Sequence, residues 1–272
     1  MTLAPRWTVQ TSGVNQRLRG VSAVSEQVAW ASGAGSTILR TADGGLKWQN
    51  FIVSPDTLDF RDIDAIDAQT AYVMSIGNGS LSRIYKTTDA GTTWKVQFRN
   101  KDPKAFLDAM SFWDANHGIA FGDSVDKQFY ILTTADGRTW SRVPATNLPP
   151  AQENEGAFAA SGTNIALFGK SYAWIGTGAA AKSRVLRTTD GGETWTQVPT
   201  NVSFTLLSIQ FLNDEEGWAV GRGGVILRSS DEGKTWVRQD STTKQNLYSL
   251  NFNKKTGWAV GGEGIVLRCN CD

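Results

Sequence analysis

The sequence predicts an all-β protein, a single β-propeller of four-stranded blades. Three observations predict it. A box of acid, glycine and tryptophan recurs five times. An apolar run of strand length stands just before each box. No stretch keeps a helical period over two turns.

The boxes read TADGGLKW to Trp48, TTDAGTTW to Trp94, TTADGRTW to Trp140, TTDGGETW to Trp195 and SSDEGKTW to Trp236. The third has one extra Thr before its Ala-Asp-Gly and one residue fewer after it. Their tryptophans are spaced by 46, 46, 55 and 41 residues. Repeats of this length with four strands each are the propeller pattern. The third strands are Ser36 to Arg40, Arg83 to Lys86, Phe129 to Leu132, Arg184 to Arg187 and Val225 to Arg228. In the fifth repeat the first two strands are Leu206 to Phe211 and Gly217 to Gly221, and the Gly-Trp-Ala-Val-Gly of the latter returns at Gly257 to Gly261. A long open sheet would leave many edges to protect.

The ends set the blade count. Residues 247–271 hold three strands and lack the fourth, whereas Trp7 to Gln10 is a fourth strand without a third. Joining them gives a Trp236-to-Trp7 interval of 43 residues, in line with the others, and Trp7 to Trp48 is 41. Six blades are expected rather than seven, in one domain spanning 1–272, with the ring closed by the N-terminal strand.

Each box carboxylate (Asp43, Asp89, Asp136, Asp190, Asp231) can accept hydrogen bonds from the N–H groups of its own turn. The glycine permits a positive φ, and the tryptophan can bury a large face against the neighbouring blade. The same chemistry in every repeat serves a turn, whereas an active site draws different residues from different blades.

With the Gly-Trp-Ala-Val-Gly and Val-Ile-Leu-Arg strands, the boxes resemble those of the Asp-box (BNR) propellers. The resemblance is greatest to the photosystem II assembly and stability factor group and its bacterial relatives, and it covers nearly the whole chain. It implies a scaffold that binds a protein during assembly. It also favours an exported or periplasmic site if the chain is a mature fragment, and a cytoplasmic one otherwise. Sialidases share the box, and so do xyloglucanases and sorting receptors, so it marks fold more than function.

The net charge is +1, with 27 basic and 26 acidic residues, which argues against a nucleic-acid partner. No apolar run is long enough for a transmembrane span. Cys269 and Cys271 are two apart, on one face of a strand, where bridging geometry is poor, so two thiols are expected. One Cys-x-Cys offers two ligands, and His117 is the sole histidine, so no metal site is expected. His117 itself lies in a tight turn, Asp114 to Gly118. Gly176-Thr177-Gly178 with Ala181 mimics a dinucleotide fingerprint, but a strand follows where that fingerprint opens a helix. No cofactor is expected.

A sialidase-like site needs clustered arginines for the substrate carboxylate, with a tyrosine nucleophile and assisting carboxylates. The Arg-Ile-Pro of that family has only Phe60-Arg61-Asp62 as its nearest counterpart. Long loops on a rigid scaffold are where function tends to sit. They fall on the face opposite the boxes, and the candidate partner-binding residues there are Arg19, Arg61, Asp62, Asp108, Glu155, Lys182 and Arg222. The bland alternative for each is a solvated charge. The leading expectation is a monomeric, non-enzymatic binding or assembly scaffold for a protein partner. The alternatives are a glycan-processing hydrolase, favoured by three converging arginines, and a glycan-binding lectin, favoured by a shallow pocket lined by Trp113 or Trp174.

Overall fold

The computed structural model describes residues 6–153, 155–156, 163, 165–177, 184–199, 206–212, 216–224, 226–230, 237–253 and 256–271. Strand β1 is Arg6–Gln10. There follow β2 (Leu18–Ala23), β3 (Ala29–Gly33), β4 (Ile38–Thr41) and β5 (Gln49–Phe51), then β6 (Asp59–Ala65), β7 (Ala71–Ile76), β8 (Arg83–Thr87) and β9 (Lys95–Arg99). Next come β10 (Leu107–Phe112), β11 (Gly118–Val125), β12 (Gln128–Thr134) and β13 (Ser141–Arg142), then β14 (Ile165–Phe168), β15 (Tyr172–Gly176), β16 (Arg184–Thr188) and β17 (Thr196–Pro199). The last are β18 (Leu206–Phe211), β19 (Gly217–Gly221), β20 (Ile226–Ser229), β21 (Val237–Gln239), β22 (Leu247–Asn253), β23 (Thr256–Gly261) and β24 (Val266–Asn270). Among the described residues there is no α-helix, and the strands form six four-stranded antiparallel sheets. Five take consecutive strands in order; the sixth is β22-β23-β24 with β1 at its outer edge, Trp7 opposite Cys269.

First strands of successive sheets pack on one another: β22 on β2, β2 on β6, β6 on β10, β10 on β14, and β18 on β22. Side-chain acceptors on one first strand take backbone N–H groups of the next. Ser22 Oγ accepts from Ala65 (2.9 Å), and Asp62 Oδ2 from Met110 (2.6 Å). Asp64 Oδ2 accepts from Phe112 (2.9 Å), Ser208 Oγ from Leu250 (3.1 Å) and Gln210 Oε1 from Phe252 (2.7 Å). Asn251 Oδ1 then accepts from Ala23 (2.9 Å), linking the sheet of β22 to that of β2. Each bond satisfies a donor that the strand's own ladder leaves out.

The boxes form a two-part turn. Thr87 Oγ1 accepts from Gly91 N (3.0 Å) and donates to Asp89 Oδ1 (2.8 Å), which also takes Thr93 N (2.8 Å). Thr41–Asp43 and Thr188–Asp190 repeat this, with Gly45 N and Gly192 N bonded to their threonines at 2.8 and 3.1 Å. In the shortened third box, Asp136 Oδ1 takes both Arg138 N and Thr139 N at 2.7 Å. The threonines are buried, whereas Asp43, Asp136 and Asp190 are exposed and Asp89 is half-buried. Asp231 lies outside the described residues. Tryptophans beside the outer strands pack across sheets: Trp94, after its box, is edge-on to Trp30 at 6.0 Å, and Trp7 of β1 is edge-on to Trp218 at 6.1 Å. Cross-strand pairs set Arg40 over Trp30, Lys86 over Tyr72, Arg228 over Trp218 and Arg268 over Trp258.

The cysteines correct the sequence reading. Cys269 and Cys271 are joined as a disulfide, with Cα atoms 5.5 Å apart. That separation is inside the bridging range, and it arises because Cys271 lies beyond the end of β24 and is free of the extended strand spacing.

Candidate partner-binding face

The box turns share one end of the sheets with the hairpins that join first to second strands: Gly44 N bonds Gln27 O, Ala90 N bonds Gln69 O, and Gly137 N bonds Asn116 O. The starts of the first strands lie at the opposite end. There each of five first strands carries a register shift, and the residues bulged out are Arg19, Arg61, Asp108, Leu207 and Tyr248. A bulge bends its strand and re-aims one side chain. Five of the six sheets thus set one residue at the same level: two arginines, an aspartate, a leucine and a tyrosine.

Arg19 and Arg61 meet there with Arg17, which precedes β2. The Arg19 guanidinium lies over the Tyr248 ring at 4.6 Å, and that of Arg17 lies at 5.8 Å from the same ring. Arg19 is buried although it is charged. Burial, then the neighbouring charges of Arg61 and Arg17, lower its pKa to about 10. Burial also lowers the pKa of Arg61, against the pull of Asp59, whose Oδ2 lies 3.5 Å from Arg61 Nε. Asp108, itself buried, adds a favourable field at Arg61. Arg19 and Arg61 are held there at a cost in desolvation, and the charge of Arg17 adds repulsion. A carboxylate or phosphate offered by a ligand would relieve both.

The other predicted residues divide. Glu155 is buried, taking Gln152 N on Oε2 and Thr177 Oγ1 on Oε1, each at 2.7 Å. Asp62 is buried between β6 and β10, where it holds Met110 N and Ile63 N. Burial raises its pKa well above the ordinary carboxylate value. Solvation does not describe Arg19, Asp62, Asp108 or Glu155: Arg19 and Asp108 sit at bulges, Asp62 in the strand-to-strand bonding, and Glu155 is held by its own two hydrogen bonds. Lys182 and the Arg222 side chain lie outside the described residues. Trp113 is half-buried and donates from Nε1 to Tyr172 O (3.1 Å), while the Trp174 side chain is not described. His117 is exposed in its turn, with Nδ1 2.9 Å from Asp114 Oδ2. Gly176 closes β15 and Arg184 opens β16.

Sequence reasoning missed Arg17 and Tyr248. Tyr248 had a legible signal: aligned on Leu18-Arg19-Gly20, Phe60-Arg61-Asp62 and Leu107-Asp108-Ala109, it fills the same place in Leu247-Tyr248-Ser249. Arg17 had none, since it stands in the connection before the strand.

The family model described as photosynthesis system II assembly factor YCF48 matches residues 198–270. The photosystem II assembly protein Ycf48 of Synechococcus sp. (strain JA-3-3Ab) is 24% identical, over 82% of this chain and 75% of its own length. The chloroplastic photosystem II stability/assembly factor HCF136 of Arabidopsis thaliana is 25% identical, over 88% of this chain and 60% of its own. A solved structure of YCF48 bound to D1 peptide superposes with a TM-score of 0.63 at 16% identity, covering 98% of this chain and 97% of that one. That likeness speaks to the fold. The chain is a propeller of the BNR type, related to the photosystem II assembly factors.

Proposed function

We propose that this chain is a non-enzymatic scaffold that binds a protein partner through the face opposite the boxes, with an acidic segment of the partner set against Arg17, Arg19 and Arg61. One observation carries the reading: bulges on successive first strands gather charged and aromatic side chains at one end, where Arg19 is held buried over Tyr248. The relatives support it, being assembly factors by name, one of them solved with a bound peptide. Arg61, Asp108 and Glu155 belong to this face, as do Arg222 and Lys182 by their place in loops. Asp62 serves the strand-to-strand bonding instead.

The scaffold is one domain over 1–272, a monomer with six blades and a ring closed by β1. The pairing of Trp7 with Cys269, the bond from Ala23 N to Asn251 and that from Ser12 Oγ to Gly264 O (2.9 Å) support closure. The disulfide and the chloroplastic relative favour an oxidising compartment outside the cytoplasm.

Converging arginines also favour the hydrolase reading, as a clamp on a sugar carboxylate. Tyr248, however, meets two of them with its ring face, which suits a binding platform better than a nucleophile poised by a base.

The test uses an array of carboxylate-rich and carboxylate-free peptides with the full chain. Acidic peptides should bind in a salt-sensitive way. Arg17→Glu, an exposed change that spares the core, should weaken them at least tenfold. Hydrogen exchange should show protection at the starts of β2, β6 and β22. Protection at the box turns, or turnover of a sialoside lost on Tyr248→Phe, would overturn the reading.

A further inference from the structure

We propose that Cys269 and Cys271 form a reversible dithiol–disulfide couple whose access is controlled by the docking of β1. The bond closes a loop between residues two apart in sequence. A cross-link restrains the unfolded chain in proportion to the loop it closes, so this one adds little as a staple. Nor is a staple needed here. β24 is paired on both edges, with Cys269 opposite Trp7 on one side and Gly257 on the other.

The two cysteines are unequally buried. Cys269 is fully buried, whereas Cys271, past the end of β24, retains 7% exposure. Both pack in one cluster with Trp7, Trp218 and Phe252. Trp7 is 3% exposed and stands edge-on to both of those rings, at 6.1 Å from each. While β1 is docked, its backbone covers one edge of the strand that carries the couple. When β1 lifts, Cys269 loses its cross-strand neighbour and the cluster opens.

The exchange balances with a dithiol as co-reactant. A thiolate of the dithiol attacks Sγ of Cys271, the less buried of the two residues. The Cys269–Cys271 bond breaks, and a mixed disulfide forms on Cys271. Cys269 leaves as a thiolate and takes a proton. The second thiol of the dithiol then attacks its own partner sulfur, closes to a disulfide and releases Cys271 as a thiol. Two electrons and two protons pass from dithiol to protein, and the reverse sequence oxidises a dithiol.

The full chain is equilibrated in mixtures of reduced and oxidised dithiothreitol, quenched in acid and alkylated with a maleimide, and mass spectrometry counts the thiols. The expected result is a single transition from none to two labelled cysteines, while circular dichroism shows a folded chain throughout. Trp7→Ala should speed reduction at least tenfold more than it speeds global unfolding. Trp7→Phe, which keeps a ring in place, should give a smaller gain in the same direction. The double change Cys269→Ser and Cys271→Ser should melt within a degree or two of the oxidised protein. Labelling that appears only at the rate of global unfolding in all forms would overturn the proposal. So would two free thiols in fully oxidised buffer, or a double serine variant that melts as low as Trp7→Ala.

Discussion

At the scale of single residues, the box divides its labour in a way its name hides. The acid is the less buried of the pair, while the threonine two places earlier is buried and holds the glycine N–H. Thr188, at 2% exposure, accepts from the buried Gly192 N. Thr188→Val keeps the shape and deletes the acceptor. It should cost about 1–3 kcal/mol, the price of a buried donor left unpaired, whereas Asp43→Asn, at an exposed box acid, should barely move the melting temperature. Thermal melts of both variants check the order. Asp64 makes a second residue-scale prediction. Burial raises its pKa to about 6, while bonds from Phe112 N and Ser111 Oγ oppose the rise. Between the unfolded value near 3.8 and about 6 the native state binds more protons than the unfolded state, so this group's contribution falls as pH rises through that window. Asp136 runs the other way: its turn donors lower it to about 2, and its contribution, full above 3.8, is lost as pH falls towards 2. Denaturant melts from pH 4 to 7 should therefore fall less steeply in Asp64→Asn, which keeps an acceptor for Phe112 N, and the slope that remains belongs to Asp62.

At the scale of elements, the strands were legible because each repeat prints them again. Leu206–Phe211 and Gly217–Gly221 fall where their spacing predicts, as does the terminal strand beginning beside Trp7. The bulges were not legible: one extra residue leaves no mark on a two-residue alternation, yet it turns Arg19, Arg61 and Tyr248 to a common level. For the same reason Asp62 read as a surface charge. Its place one residue past a bulge puts it against β10 rather than in solvent. The binding face was thus legible as a list of loop charges, not as a cluster. The bonds between first strands are the element that most needs a test. Ser208, 3% exposed, accepts from the buried N–H of Leu250. Ser208→Ala removes one atom and no shape, and should cost about 1–3 kcal/mol with faster amide exchange at Leu250. A loss confined to a few tenths would mean that water or the neighbouring ladder replaces the bond.

For the whole molecule, the question is what holds the sheet of β2 to that of β22 when the chain between them runs from residue 52 to 246. Several contacts cross from the sheet of β22 to that of β2. Asn251 Oδ1 takes Ala23 N, Asn253 Nδ2 donates to Val24 O, and Gln10 Nε2 donates to Gly44 O at 3.3 Å. The last of these comes from β1, which also supplies the outer edge of the sixth sheet and inserts Trp7 beside Trp218 and Phe252. A terminal strand usually frays at little cost. In a closed ring this one would be a seam, because losing it bares the edge of β24 and removes an aromatic from the wall between neighbouring sheets. Trp7→Ala should therefore destabilise by about 3–5 kcal/mol, as for other buried aromatics cut to alanine. Deleting residues 1–10 should cost at least as much and promote association through the bared edge. Supplying residues 1–12 as a separate peptide should restore the melting temperature of the truncated chain in a concentration-dependent way, since the peptide binds only the folded state. A truncated chain that melts like the intact one, with no response to the peptide, would mean that β1 is not a seam between the sixth sheet and its neighbours.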